Sequence, residues 1–230
     1  MIEKFLCRVL CGLFFILALS PSFTSDGLAI AQPGQADKAA TLAAINRTRA
    51  IVEELIHTTY PELAKTDIQI QSFTDNADYF RTLFNFKRWL FGLKMRYYIK
   101  VNPQVFERGA PAAGIRAILS HELGHVYDFQ TKNRLRLFGL MRLAGKNYTA
   151  RFERRTDLQA ISRGCGEGLK LYREWLYRNV PAKKLAEKQR NYFSPAEIEA
   201  IQTKLKAQPE RLTYWLKRVP RSLREIEDTQ

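Results

Sequence analysis

The chain has 230 residues, 46% of them hydrophobic, and a formal net charge of +14. That length carries one well-packed domain with room for a small helical appendage, and it excludes two sizeable domains. Beyond the N-terminus no run of about 18 apolar residues occurs, so nothing in the body of the sequence reads as a membrane span.

Residues 1–31 have the layout of a secretory signal peptide. Lys4 and Arg8 form a short basic start, and an apolar run follows from Val9 to Leu19. The small-x-small triplet Ala29-Ile30-Ala31 sits before Gln32 as a cleavage site. This stretch holds two basic and two acidic residues (Lys4, Arg8, Glu3, Asp26), so residues 32–230 keep the charge of +14. Cys7 and Cys11 fall within it and leave Cys165 as the one cysteine of the exported part, with no internal disulfide. Cys165 then reads as a buried apolar residue. A cytosolic protein this basic would suggest nucleic acid. For an exported one, anionic headgroups, cell-wall polymers or acidic substrates fit better, beside the plainer reading of a solvated basic surface.

Residues 32–40 read as a flexible leader. A helix is expected over 41–58, with Leu42, Ile45, Ile51 and Leu55 at helical spacing, His57 near its end and Pro61 beyond it. "DIQIQSF" (67–73) alternates and predicts a strand. Residues 88–106 suggest two strands turning near Gly92, the second being "MRYYIKVN". A helix follows from about Gly114 to Phe129. Residues 132–146 carry Lys132, Arg134, Arg136, Arg142 and Lys146 among leucines and no acid, a basic amphipathic pattern suited to a membrane surface, a lid or a packed helix. A long helix is expected over roughly 149–179, interrupted by Gly164, Gly166 and Gly168 as a break or a close helix crossing. Pro181 ends it. Ser194, Pro195 and Glu197 then spell a capping box opening a helix over 194–208, and a short charged helical segment closes the chain. Trp175, Tyr177, Tyr214 and Trp215 read as core.

The chemistry concentrates in His121-Glu122-Leu123-Gly124-His125. The chain has only three histidines, and two of them stand here four residues apart. On a helix that spacing puts both imidazoles on one face, where they can close on one zinc ion. Glu122 is rotated by about 100° from His121, so it can reach a metal-bound water without being a ligand. Gly124 costs about 1 kcal/mol of helix propensity, which implies a local packing reason for it. No histidine follows His125, so a third ligand is an acid or His57. Asp128 is too near in the same helix to close the site easily. Glu153 and Asp157 share a face of the next helix; one carboxylate there can ligate zinc and the other can accept the free ring N–H of a ligand histidine.

His121-Glu122-x-x-His125 followed by Glu153-x-x-x-Asp157 resembles the gluzincin class of zinc metallopeptidases, the thermolysin-like arrangement, and the chain also looks like small bacterial zinc-peptidase domains of unassigned substrate. The resemblance covers the two motifs and their lead-in, about a third of the chain. It implies zinc held by His121, His125 and Glu153, Glu122 as general base, and Asp157 as the partner of His121. It also implies a Tyr or His at the oxyanion; Tyr148, Tyr127, Arg151 and His57 are candidates by type only. The strand "MRYYIKVN" would suit the edge strand above such a site, where an extended peptide can pair.

The expectation is therefore an α+β, zincin-like fold, mostly helical, with a small sheet beside the motif helix. Residues 32–180 would form the catalytic domain and 181–230 a helical extension packed on it. The expected function is hydrolysis of peptide or protein substrates by an exported enzyme, periplasmic or extracellular, with no nucleic-acid partner and with a possible membrane or cell-wall contact through 132–146. The alternative is a non-catalytic, zinc-stabilised envelope binding protein, which predicts four protein ligands with His57 as the fourth.

Overall fold

The structure, a computed structural model, describes residues 33–85, 87–88, 91–131 and 146–228. The signal-like segment 1–31 and the basic stretch 132–145 lie outside the described residues. The architecture is α+β, mostly helical with one three-stranded sheet. No helix among the described residues is long and apolar enough to cross a membrane.

Helix α1 spans Pro33–Thr58 and overturns the expected flexible leader. Proline is at home in a first turn, and Gln35 to Ala40 are mostly strong helix formers, so the helix extends back to Pro33. Its buried face runs through Ala44, Thr48, Val52 and Leu55, while Leu42 of the predicted stripe is exposed.

Strand β1 (Asp67–Ser72) pairs parallel with β3 (Arg96–Val101), and β2 (Phe80–Phe84) pairs antiparallel with β3. The order β1-β3-β2 makes β3 central, not the edge strand expected of "MRYYIKVN". Its burial alternates, with Tyr97, Ile99 and Val101 inward, and both of its edges are paired. The edge beside the motif helix is β2, which supplies Thr82 to it. Of the other expected strand, near residues 88–91, residues 89 and 90 lie outside the described ones, and the described residues beside them are in no strand. There the Phe91 and Leu93 N–H groups donate to the Lys87 and Arg88 carbonyls, and Gly92 takes φ 71°. That is a helical C-terminal turn, which glycine ends at no steric cost.

A short helix α2 (Gln104–Glu107) leads to the motif helix α3 (Ala112–Thr131), whose middle is buried on nearly all sides. The long helix expected over 149–179 is broken: α4 spans Lys146–Ala160, a wide turn runs Ile161–Cys165, and α5 spans Gly166–Asn179. Gly164 at φ 84° makes the break. Cys165 in this turn is half-buried, not fully buried as expected.

Gly168 is the close crossing. A Cβ there would overlap the Ala113 carbonyl oxygen and stand 2.9 Å from the Ala117 Cβ. Helix propensity alone favours alanine by about 1 kcal/mol. Overpacking against a fixed backbone costs about 1–3 kcal/mol. Since the carbonyl cannot move without α3, Gly168→Ala is expected to lower stability in urea denaturation; an unchanged or raised midpoint would mean that α3 and α5 separate freely.

Helix α6 (Ala182–Asn191) opens the segment expected as a helical extension; its almost wholly polar sequence gives no stripe that marks its bounds. The capping box on α7 (Pro195–Ala207) forms as expected, with Ser194 and Glu197 bonded reciprocally. Glu197 also accepts from Arg154 at 2.8 Å, a buried pair that fixes α7 against α4. Helices α8 (Arg211–Lys217) and α9 (Leu223–Glu227) close the chain. Trp175 and Trp215 are core residues, Tyr177 is half-buried, and Tyr214 is exposed rather than core.

Candidate metal centre

Helix α3 presents His121 and His125 one turn apart, buried to 1% and 7% exposure. Helix α4 crosses beside it and brings Glu153 between them. Glu153 Oε2 lies 3.2 Å from His121 Nε2 and 3.2 Å from His125 Nε2. One ligand atom from each of the three falls within 4.8 Å of the others. A tetrahedral ion with bonds of about 2.0–2.1 Å spaces its ligand atoms about 3.3–3.4 Å apart, close to the carboxylate–imidazole distances. The set of two imidazole nitrogens and a carboxylate oxygen could therefore hold a small divalent ion, with donors suited to one such as zinc and two of the three edges at ligand spacing. The Glu153 side chain keeps 17% exposure, which leaves one side of the group open.

The crossing that sets this spacing depends on Gly124. A Cβ at Gly124 would stand 2.9 Å from the Thr156 methyl and 3.4 Å from the Tyr60 hydroxyl. That is the packing reason its helix-weakening position implied. Tyr60 anchors the same turn by donating to the Ser120 carbonyl at 2.8 Å.

Asp157, fully buried, sits one turn beyond Glu153. Its Oδ1 lies 2.8 Å from His121 Nδ1, although the ring N–H is not well aimed at it, so this is a short ionic contact more than an aligned hydrogen bond. We assign the proton of neutral His121 to Nδ1 on this contact, which leaves Nε2 with its lone pair toward Glu153. Asp157 is held in turn by Arg173 Nη2 at 2.9 Å and by the Phe193 N–H at 3.1 Å. His125 is packed differently: it stacks on Phe152, with ring centroids 4.9 Å apart, and its Nδ1 has a long 3.4 Å contact with Thr156 Oγ1.

The charges follow from this layout. Burial alone would lower the His121 pKa, but the Asp157 and Glu153 carboxylates overcome it and push it up to about 9. Burial would raise Glu153, yet His125 and His121 hold it well below the usual carboxylate range. Burial would likewise raise Asp157, and Arg173 followed by His121 holds it low. With no ion bound, protons would supply the positive charge that two carboxylates attract here; a divalent cation would supply it instead.

Glu122 stands outside this trio and is tethered to the edge strand. Thr82 Oγ1 on β2 donates to Glu122 Oε2 at 2.7 Å. His121 and Glu122 line one small cavity with Tyr172, Arg173, Lys188 and Tyr192, about 30 Å³ in volume. That is room for about one or two waters. Lys188 on α6 pairs with Asp78 across the cavity and lies 5.6 Å from the Tyr192 ring centre.

Of the oxyanion candidates proposed by residue type, none lines this cavity among the described residues. Tyr148 stacks on Phe152, Tyr127 lies under Arg163, Arg151 donates to the Lys217 carbonyl, and His57 is exposed on α1. Tyr192 does line it, with its ring 5.9 Å from the His121 ring. Burial pushes the Tyr192 phenol pKa well up, so it stays a protonated donor. Asp128, set aside as a ligand, is buried on α3 and accepts from Gln159 at 3.0 Å. Thr82, Arg173, Lys188 and Tyr192 were not found by sequence reasoning. The buried Arg173, on the face of α5 turned toward α4, carried the one available signal: an arginine among apolar positions needs an acidic partner. Compared with known proteins, the chain matches no family model, no curated protein and no solved structure, so these side chains and their spacing are what carry a reading of its function.

Proposed function

We propose that the protein is a zinc-dependent peptidase of zincin-like arrangement, with zinc held by His121, His125 and Glu153. The observation that carries this reading is the pair of 3.2 Å spacings from Glu153 Oε2 to the two imidazole nitrogens, beside a cavity that Glu122 shares with His121. Zinc at such a site supplies Lewis-acid polarisation and an acidified water. Glu122 takes a proton at its carboxylate and returns it to the leaving amine. Thr82 keeps that carboxylate in place by donating to Oε2. Asp157 keeps the His121 proton at Nδ1, and Tyr192 offers its phenolic O–H to an oxygen that gains charge.

The gluzincin resemblance supports the same roles, and export through the signal-like segment would place the substrate outside the cytoplasm. The runner-up, a zinc-stabilised binding protein with a closed site, needs a fourth protein ligand. His57, its candidate, is exposed and stands outside the three-residue group.

Zinc content is the first test. One zinc per chain is expected in the metal-repleted protein. It should be lost in His121→Ala and Glu153→Ala and kept in His57→Ala. Retention in the first two variants, or loss in the third, would overturn the ligand assignment.

A further inference from the structure

Helix α4 faces two ways. Arg151 stands two residues before Glu153, about 200° round the helix, so it serves a different neighbourhood from the metal group. Its guanidinium donates to the Lys217 carbonyl at 2.7 Å and ties α4 to the end of α8. Around that contact the chain leaves a second cavity of about 390 Å³, lined among others by Arg151, Arg218, Arg221, Tyr214, Trp215 and Glu225. This volume lies within the range of sites for small molecules.

The lining is strongly cationic, with three arginines against one glutamate. Among the described residues neither Arg218 nor Arg221 forms an ion pair; the Arg218 guanidinium stands 5.8 Å from the Tyr214 ring centre. Glu225 accepts the backbone N–H of Arg221 at 2.9 Å, which orders the loop between α8 and α9. Tyr214 is 45% exposed at the rim. Trp215 is buried, and its indole N–H has no partner among the described residues. Planar guanidinium forks match the oxygens of a phosphate in pairs, and several converging arginines favour a dianion over a single carboxylate. The overall charge of +14 would steer anions toward such a pocket.

We propose that this cavity is a phosphate-binding site, taking a phosphate monoester group against Arg151, Arg218 and Arg221 with Tyr214 beside it. The group can come from a free phosphate or from a lipid headgroup, and the recognition chemistry is the same.

The test uses the full chain in two assays. Inorganic phosphate is titrated in by calorimetry. Vesicles of phosphatidic acid in phosphatidylcholine are tested by co-sedimentation against phosphatidylcholine alone. Arg218→Ala/Arg221→Ala removes two exposed, unpaired arginines and is expected to fold, with circular dichroism as the check. Lys183→Ala/Lys206→Ala removes the same charge from exposed sites elsewhere. Saturable one-to-one phosphate binding, weakened at least about tenfold by the arginine pair and not by the lysine pair, supports the site with free phosphate as its source. Sedimentation that needs phosphatidic acid and fails only in the arginine variant, without free-phosphate binding, supports it with a headgroup as its source. No binding in either assay, or equal loss in both variants, overturns it. None of these outcomes depends on zinc or on hydrolysis.

Discussion

Glu122→Gln is expected to lower peptide hydrolysis by about 10²–10⁴-fold while leaving one zinc per chain. The substitution keeps the volume of a side chain that is only 6% exposed, and its amide oxygen can still accept from Thr82 Oγ1, now 2.7 Å from Oε2. What it removes is the capacity to take a proton. The loss corresponds to about 3–5 kcal/mol of barrier, the usual scale for a positioned general base. Zinc should stay because Glu122 is not one of the three residues whose ligand atoms converge. Steady-state kinetics on a cleaved peptide, with metal analysis of the same preparation, separates the cases. Full activity with zinc present would sink the proposed mechanism. Loss of both together would move Glu122 into the ligand set.

The parts of this site that could be read from the sequence are those set by helical spacing. His121 and His125 announce themselves at i,i+4 on a helix, and Glu153 and Asp157 repeat the interval on the next. Periodicity also identified β1, the motif helix and the capping box at Ser194. What could not be read is what comes from elsewhere in the chain. Thr82 arrives on an edge strand too short and irregular to show a clear alternation. Arg173 reaches Asp157 across sixteen positions, through a glycine break whose turn angle no local pattern determines. Lys188 and Tyr192 stand on and just after α6, a helix with almost no apolar stripe of its own. Tertiary contacts decide that α6 packs on α4, and its polar residues then serve the cavity. The same limit explains β3. Its alternation predicted a strand, but whether a strand is central or at an edge depends on its neighbours, and one neighbour is β2, whose five residues show no clear alternation.

Arg173→Met is expected to cost about 3–5 kcal/mol of stability, the penalty for breaking a buried ion pair from one side. Arg173 and Asp157 have side chains 1% and 0% exposed, with Nη2 and Oδ1 2.9 Å apart. Methionine fills much of the space, so the loss is chiefly of charge and of the stack on Tyr192, now 4.2 Å from the guanidinium. The pH dependence separates charge from packing. In the parent protein the folded-state pKa of Asp157 lies below its ordinary value, with Arg173 as the largest lowering influence against burial. Its contribution to stability is thus present above the usual aspartate range and is lost as pH falls through the lowered folded value. Without Arg173 the largest lowering influence is gone and only His121 and the Phe193 N–H oppose burial, so the folded pKa moves up, and a protonated Asp157 no longer needs the missing cation. The stability gap between parent and variant should therefore be widest near neutral pH and should shrink as pH falls toward the aspartate range. Urea denaturation of both proteins, stripped of metal with a chelator and compared across that range, measures the gap. A gap that does not change with pH would assign the loss to packing and remove Arg173 from the electrostatic support of His121.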